Sequence, residues 1–168
     1  SISPVAACTK LKWINANHNE LPEIGGIDKL PSLQYLALSN NVLTDIYELE
    51  NCAALQELYI AGNEIVDIAF LSSLANLEVL DFSNNDVEVL PEWPDDGKLR
   101  TIDGSHNAIK SLDSLANQMN LTHVNMDYNK IKSIKALQDC YKLVIVNVYG
   151  NDIDGVKELT DHDIIVNW

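Results

Sequence analysis

The chain has 168 residues, a formal net charge of -14 and a pI of about 4.4. That balance excludes a nucleic-acid partner, because a phosphate backbone calls for clustered Lys and Arg. No apolar stretch reaches the roughly 18 residues that a membrane helix needs, so no membrane insertion is expected. A hydrophobic share of 46% suffices for one core.

Residues 2–10 read as the second half of a repeat. Ile2, Val5, Cys8 and Leu11 match Ile46, Leu49, Cys52 and Leu55 further on. The chain does not begin with Met and shows no leader or lipidation motif. An opening unit without a cap leaves a strand edge bare. The expectation is a fragment or processed product, its natural N-terminus upstream, that self-associates through this edge.

From Leu11 onward the pattern L-x-x-L-x-L-x-x-N-x-L recurs. Its first apolar residue is Leu11, Leu33, Leu55, Leu77, Leu99, Leu121 and Leu143, an interval of 22 each time. A fixed period of this length denotes a solenoid, whose units bury their apolar faces by stacking. In the unit beginning at Leu33, the alternation over Tyr35 to Leu38 is that of a short strand with one buried face. Identical strands advancing in one direction pair in parallel. Asn41, in step with Asn19, Asn63, Asn85, Asn107, Asn129 and Asn151, then sits where the chain turns inward. A buried amide there can bond the backbone of its own turn and of the next repeat, so the asparagines are expected to form a ladder.

The second half of each unit keeps a spacing of three, as in Leu43, Ile46, Leu49, Cys52 and Leu55. Period three suits a 3-10 turn better than an α-helix. Asp45, Asp67, Ser111 and Ser133 precede these turns as capping residues. Cys8, Cys52 and Cys140 share one repeat column. Cys8 and Cys52 lie two strands apart, about 10 Å, too far for a disulfide. All three are therefore expected to be buried as small hydrophobes.

Two units depart from the pattern. In Leu90–Gly97, Trp93 replaces a leucine, Asp96 enters the cysteine column, and two prolines favour an extended segment. In the next unit Gln118 occupies that column, with Met119 as its apolar substitute. Both deviations are expected to loosen the outer side.

Together these motifs resemble the leucine-rich repeat proteins of the 22-residue subclass, which includes bacterial internalin-like surface proteins and a regulator of type-1 protein phosphatase. The resemblance covers nearly the whole chain. It implies an α/β solenoid: a right-handed superhelix with a parallel sheet on the concave face and 3-10 or short helical turns on the convex face. One domain spans 1–168, with a partial repeat at 1–10, full repeats starting at 11, 33, 55, 77, 99, 121 and 143, and a terminal partial strand at 165–168. The segment Leu159–Trp168 also resembles the last repeat of secreted or surface proteins of Gram-positive gut bacteria.

On such a sheet the residues flanking each buried strand position point to solvent. The first exposed column is Trp13, Tyr35, Glu57, Val79, Thr101, His123 and Ile145. The second is Asn15, Ala37, Tyr59, Asp81, Asp103, Asn125 and Asn147, and the third is Asn17, Ser39, Ala61, Ser83, Ser105, Asp127 and Tyr149. Trp13, Tyr35 and Tyr59 gather aromatic surface of the kind enriched at binding hot spots. Glu57, Asp81, Asp103 and Asp127 make an acidic stretch, and Tyr149 with Val144 and Ile145 a second apolar group. Asp81 and Asp103, about 4.8 Å apart by strand spacing, repel unless compensated.

The expected ligand is a protein that sets apolar groups on the aromatics and Lys or Arg over the carboxylates. The alternative for this face is a solvated strand surface with incidental aromatics.

No Walker loop, GxGxxG, HExxH, CxxC or G-x-S-x-G is present, and no His has a Cys or His partner at zinc spacing. Asp103, Ser105 and His106 are triad residue types without implied triad geometry. A calcium ion among Asp81, Asp103 and Asp127 is the one cation site that the chemistry offers. Asn120 begins a glycosylation sequon beside a buried strand.

The reading is a non-enzymatic module that binds a protein ligand without a cofactor, in a secreted or cell-surface bacterial protein. The alternatives are a cytoplasmic regulatory scaffold and a targeting arm for a catalytic domain outside these residues.

Overall fold

The computed structural model describes residues 2–95, 97–154 and 165–167. Eight strands of three residues form one sheet in chain order. They are β1 (Trp13–Asn15), β2 (Tyr35–Ala37), β3 (Glu57–Tyr59), β4 (Val79–Asp81), β5 (Thr101–Asp103), β6 (His123–Asn125), β7 (Ile145–Asn147) and β8 (Ile165–Asn167). Every adjacent pair is parallel. The middle residues Leu36, Leu58, Leu80, Ile102, Val124 and Val146 stack in register and are fully buried.

From β1 to β7 the partners lie 22 residues apart, as the repeat spacing requires. The last step is shorter. Ile145 faces Ile165, an offset of 20, so the terminal strand pairs two residues short of the 22-residue step. The side chains explain the shift: Ile-Val-Asn at 145–147 recurs at 165–167, and Asn167 Nδ2 donates to Asn147 Oδ1 at 2.7 Å. The remainder of the segment 159–168 lies outside the described residues.

The asparagine ladder forms, with one difference in direction. Asn63 Nδ2 donates to Ile60 O of its own turn (2.9 Å) and to Leu38 O of the preceding repeat (3.1 Å). Its Oδ1 accepts from Leu43 N at 3.1 Å. The amide thus reaches back to the previous unit, not forward. Asn41, Asn85, Asn107, Asn129 and Asn151 repeat this geometry. Asn19, at the edge, donates only within its own turn and is exposed.

The outer turns are 3-10, at Ser3–Val5, Ile27–Lys29, Tyr47–Asn51, Ala69–Ser73, Asp113–Leu115 and Lys135–Leu137. Asp45 Oδ1 accepts from Tyr47 N and Asp67 Oδ1 from Ala69 N, each at 2.8 Å. Ser111 and Ser133 do the same through Oγ. A short oxygen-bearing side chain there holds a backbone donor that the turn leaves unpaired.

Three expectations about the outer side fail. Cys8 is exposed, because no preceding turn covers its column among the described residues; Cys52 and Cys140 are buried. Burial pushes both of those thiols up to about 11, so they pack as inert side chains. Met119 does not replace Gln118: it is 40% exposed, while Gln118 is buried. Nor do the irregular units simply loosen. Gln118 Nε2 donates to Pro94 O at 3.1 Å, and Trp93 packs on the core. The place of Asp96 in its column lies outside the described residues. The sequon amide is used internally: Asn120 Nδ2 donates to Gly97 O (2.9 Å), and its Oδ1 accepts from Lys142 Nζ (2.8 Å).

Candidate binding face

Strand register places Trp13 beside Tyr35, and Tyr35 beside Glu57. The Trp13 and Tyr35 rings stack with centroids 5.1 Å apart and planes 13° from parallel. Tyr59 joins them across a diagonal, 5.4 Å from Tyr35 and tilted by 42°. Trp13 is 56% exposed, while Tyr35 and Tyr59 are half-buried. Three rings therefore line adjacent strands as a continuous platform. A diagonal cross-strand contact of this kind is within reach of aromatic side chains.

Tyr59 is anchored by its hydroxyl, which donates to Glu57 Oε2 at 2.8 Å. Burial, the Glu57 hydrogen bond and nearby negative charge push its phenol up to about 12. The hydroxyl stays protonated at neutral pH and holds Glu57 over the face.

The acidic stretch is more structural than its residue types suggest. Asp81 Oδ1 accepts from Ser83 N (3.0 Å) and Ser83 Oγ (2.8 Å); Asp103 Oδ1 accepts the same pair from Ser105. Asn15 and Asn125 hold the backbone two residues on in the same way. This column therefore shapes the end of each strand, a local Asx-type turn. Ser83 and Ser105 are buried by it instead of pointing outward. Ala37 is also buried, at 1%, a methyl too short to rise between Asn15 and Tyr59, its neighbours in register.

Asp81 and Asp103 do face each other across β4 and β5. The compensation is the serine pair on each, together with Asn125 Nδ2 donating to Asp103 Oδ2 at 2.8 Å. Burial still raises the Asp81 carboxyl above its ordinary value, against the Ser83 bonds that lower it; the Asp103 charge adds to the rise. A carboxyl with a raised folded pKa favours the native state when protonated, and that benefit is lost as pH rises through the folded value. Asp81→Asn, which keeps the turn bond as Asn125 does, is expected to stabilise the protein at pH 7. The gain is about 0.5 kcal/mol, or about 1–2 °C in Tm. Thermal melts at pH 7 and pH 3 check it, since the difference should vanish at the lower pH.

Other candidates resolve by geometry. Among the described residues no three metal-ligating side chains converge, so Asp81, Asp103 and Asp127 are not brought into one cluster. Asp127 Oδ1 is taken by Tyr149 N. The triad types do not assemble: Ser105 donates directly to Asp103, and His106 stacks instead on Tyr128.

That stack is a feature sequence reasoning missed. His106 and Tyr128 lie 4.4 Å apart and 18° from parallel, and Tyr149 meets Tyr128 edge-on at 5.4 Å. Both His106 (φ 55) and Tyr128 (φ 54) are left-handed, a conformation where other repeats place His18, Asn40, Gly62, Asn84 and Gly150. Gly150 leaves room for the Tyr128 ring, whose Cδ1 would lie 2.7 Å from any added Cβ. The signal was Tyr128, the bulkiest residue in a column held elsewhere by His, Asn and Gly.

A family profile described as leucine-rich repeats (2 copies) matches residues 9–51 and 54–92. The chain is a leucine-rich repeat protein. A comparison with curated protein sequences finds no match. Among solved structures, internalin F of Listeria monocytogenes superposes with a TM-score of 0.91 at 23% identity, covering 99% of this chain and 50% of that one. Internalin C2 of the same organism gives 0.74 at 26% identity, covering 96% and 82%. The plant peptide hormone receptor RGFR1, solved in complex with RGF2, gives 0.80 at 26% identity, covering 90% and 26%. This leucine-rich repeat chain thus spans half the length of internalin F.

Proposed function

We propose that this leucine-rich repeat solenoid is a non-catalytic protein-binding module whose concave strands take up a segment of a protein ligand. The carrying observation is the ring platform of Trp13, Tyr35 and Tyr59, held in register on three adjacent strands. Flat, rigid aromatic area gains contact at little entropic cost. Apolar groups of the ligand settle on these rings. Lys or Arg side chains sit over Glu57, Asp81, Asp103 and Asp127, and Tyr149 closes the far end. The plant receptor solved with its peptide RGF2 supports a peptide or protein ligand. The likeness to two Listeria internalins supports a secreted or cell-surface bacterial protein.

The test is capture from a surface-protein extract or library, with the recovered partner measured by calorimetry. Replacing Trp13, Tyr35 and Tyr59 together by Ala is expected to weaken binding by at least about 100-fold, since each hot-spot ring contributes about 1–2 kcal/mol or more. Circular dichroism of the triple variant should match the parent. Undiminished affinity would reject this face.

A further inference from the structure

The convex side carries a second feature that neither the repeat nor the concave face requires. Tyr47 and Phe70 project from successive 3-10 turns, their rings 5.9 Å apart and crossed at 69°. With Thr44, Asp45, Val66 and Asp67 they line a cleft of about 290 Å³. Tyr47 is 57% exposed and Val66 61%. In Phe70's column the other turns carry Pro4, Gly26, Glu48, Glu92, Ser114 and Ala136; in Tyr47's they carry Ser3, Gly25, Ala69, Pro91, Asp113 and Lys135. The repeat therefore has no need of an aromatic at either place. Contiguous apolar surface with a polar rim marks an interaction site, whereas apolar residues exposed singly do not.

The surrounding charge names the occupant. Between Lys29 and Lys98 the chain has thirteen Asp and Glu and no Lys or Arg. This stretch alone accounts for almost the whole net charge of -14. Asp45, Glu48, Glu50 and Asp67 stand at or beside the cleft, and the first and last are fixed by their bonds to Tyr47 N and Ala69 N. Carboxylates already held in place lose little freedom on binding a cation. Glu78 and Glu88 pair with Arg100 and Lys110, away from the cleft residues; the negative field that remains raises the encounter rate with a positive segment.

We infer that the Tyr47–Val66–Phe70 cleft is a second docking site, for a basic protein segment that seats one apolar side chain in the cleft against the rings and Val66 and places Lys or Arg on the flanking carboxylates. It lies on the convex side and acts independently of the concave reading.

The probe is a hexapeptide of alternating Leu and Lys, with a Leu–Glu hexapeptide as control, titrated into the isotope-labelled chain and followed by NMR. Saturable shifts are expected at 44–47 and 66–70 with the Lys peptide alone, weakening as ionic strength rises about tenfold. Tyr47→Ser with Val66→Ser, both exposed and so tolerated by the fold, should weaken binding at least fivefold. The Trp13, Tyr35 and Tyr59 alanine variant should leave it unchanged. Shifts confined to the concave strands, equal binding of the Glu peptide, non-saturating shifts, or full affinity in the serine variant would each overturn the assignment.

Discussion

Asn85→Ala is expected to cost about 3–5 kcal/mol of unfolding free energy, although the side chain is small and touches no ligand face. Its Nδ2 donates to Ile60 O, Phe82 O and Ser83 O at 3.0, 2.9 and 3.2 Å, and its Oδ1 accepts from Ile65 N at 3.0 Å. All three of these donor bonds are buried. Alanine orphans the buried Ile65 N–H, which costs about 1–3 kcal/mol, and leaves the Ile60 and Phe82 carbonyls with only the amides of Asn63 and Asn107. Each of the lost donor bonds adds about 0.5–1.5 kcal/mol. The loss also falls on the interface between two repeats, and in a solenoid that nearest-neighbour term is what couples the units. Asn19→Ala is the internal control. Its amide bonds only Ala16 O and Asn17 O, both exposed, so the cost should stay within about 1 kcal/mol. Urea unfolding of the two variants checks the gradient from edge to centre. Equal losses would mean that the ladder is local turn chemistry, not a brace between units.

The contrast between these two asparagines shows what the sequence could convey. The 22-residue interval alone placed every strand from β1 to β7 and the whole buried column, because equal arc length forces one register. Trp13 and Tyr35 were legible as neighbours for the same reason. What was not legible depends on contacts that no period encodes. The position of Ser83 follows from the reach of its hydroxyl to Asp81, and the burial of Ala37 from the height of its neighbours. Cys8 shares a column with Cys52, yet is exposed, because burial in a stack needs a unit on each side. The final register of 20 instead of 22 was readable only by noticing Ile-Val-Asn twice. His106 and Tyr128 became visible as a pair only through their left-handed backbone.

The face and the core are coupled through one missing side chain. Gly104 →Ala is expected to destabilise the protein by about 1–3 kcal/mol, the usual range for overpacking. Leu38, Ile60, Met126 and Val148 hold the same inward column, and in it Phe82 is the largest side chain. Its ring extends into the volume that Gly104 leaves empty: a Cβ there would collide with Phe82 Cζ and lie 3.0 Å from Met126 Sδ. Phenylalanine and glycine are thus one packing solution, large beside absent. Phe82→Leu alone should destabilise by opening a void. The double variant should recover about 1 kcal/mol or more over the sum of the single losses, as a double-mutant cycle by urea unfolding would read. Additive losses would mean that the ring does not use the glycine's space. Gly104 sits between Asp103 and Ser105, so the displaced backbone of Gly104→Ala would also disturb the carboxylate–serine pair on β5. Weaker ligand binding should accompany the lost stability, and Phe82→Leu in the Gly104→Ala background should restore both together.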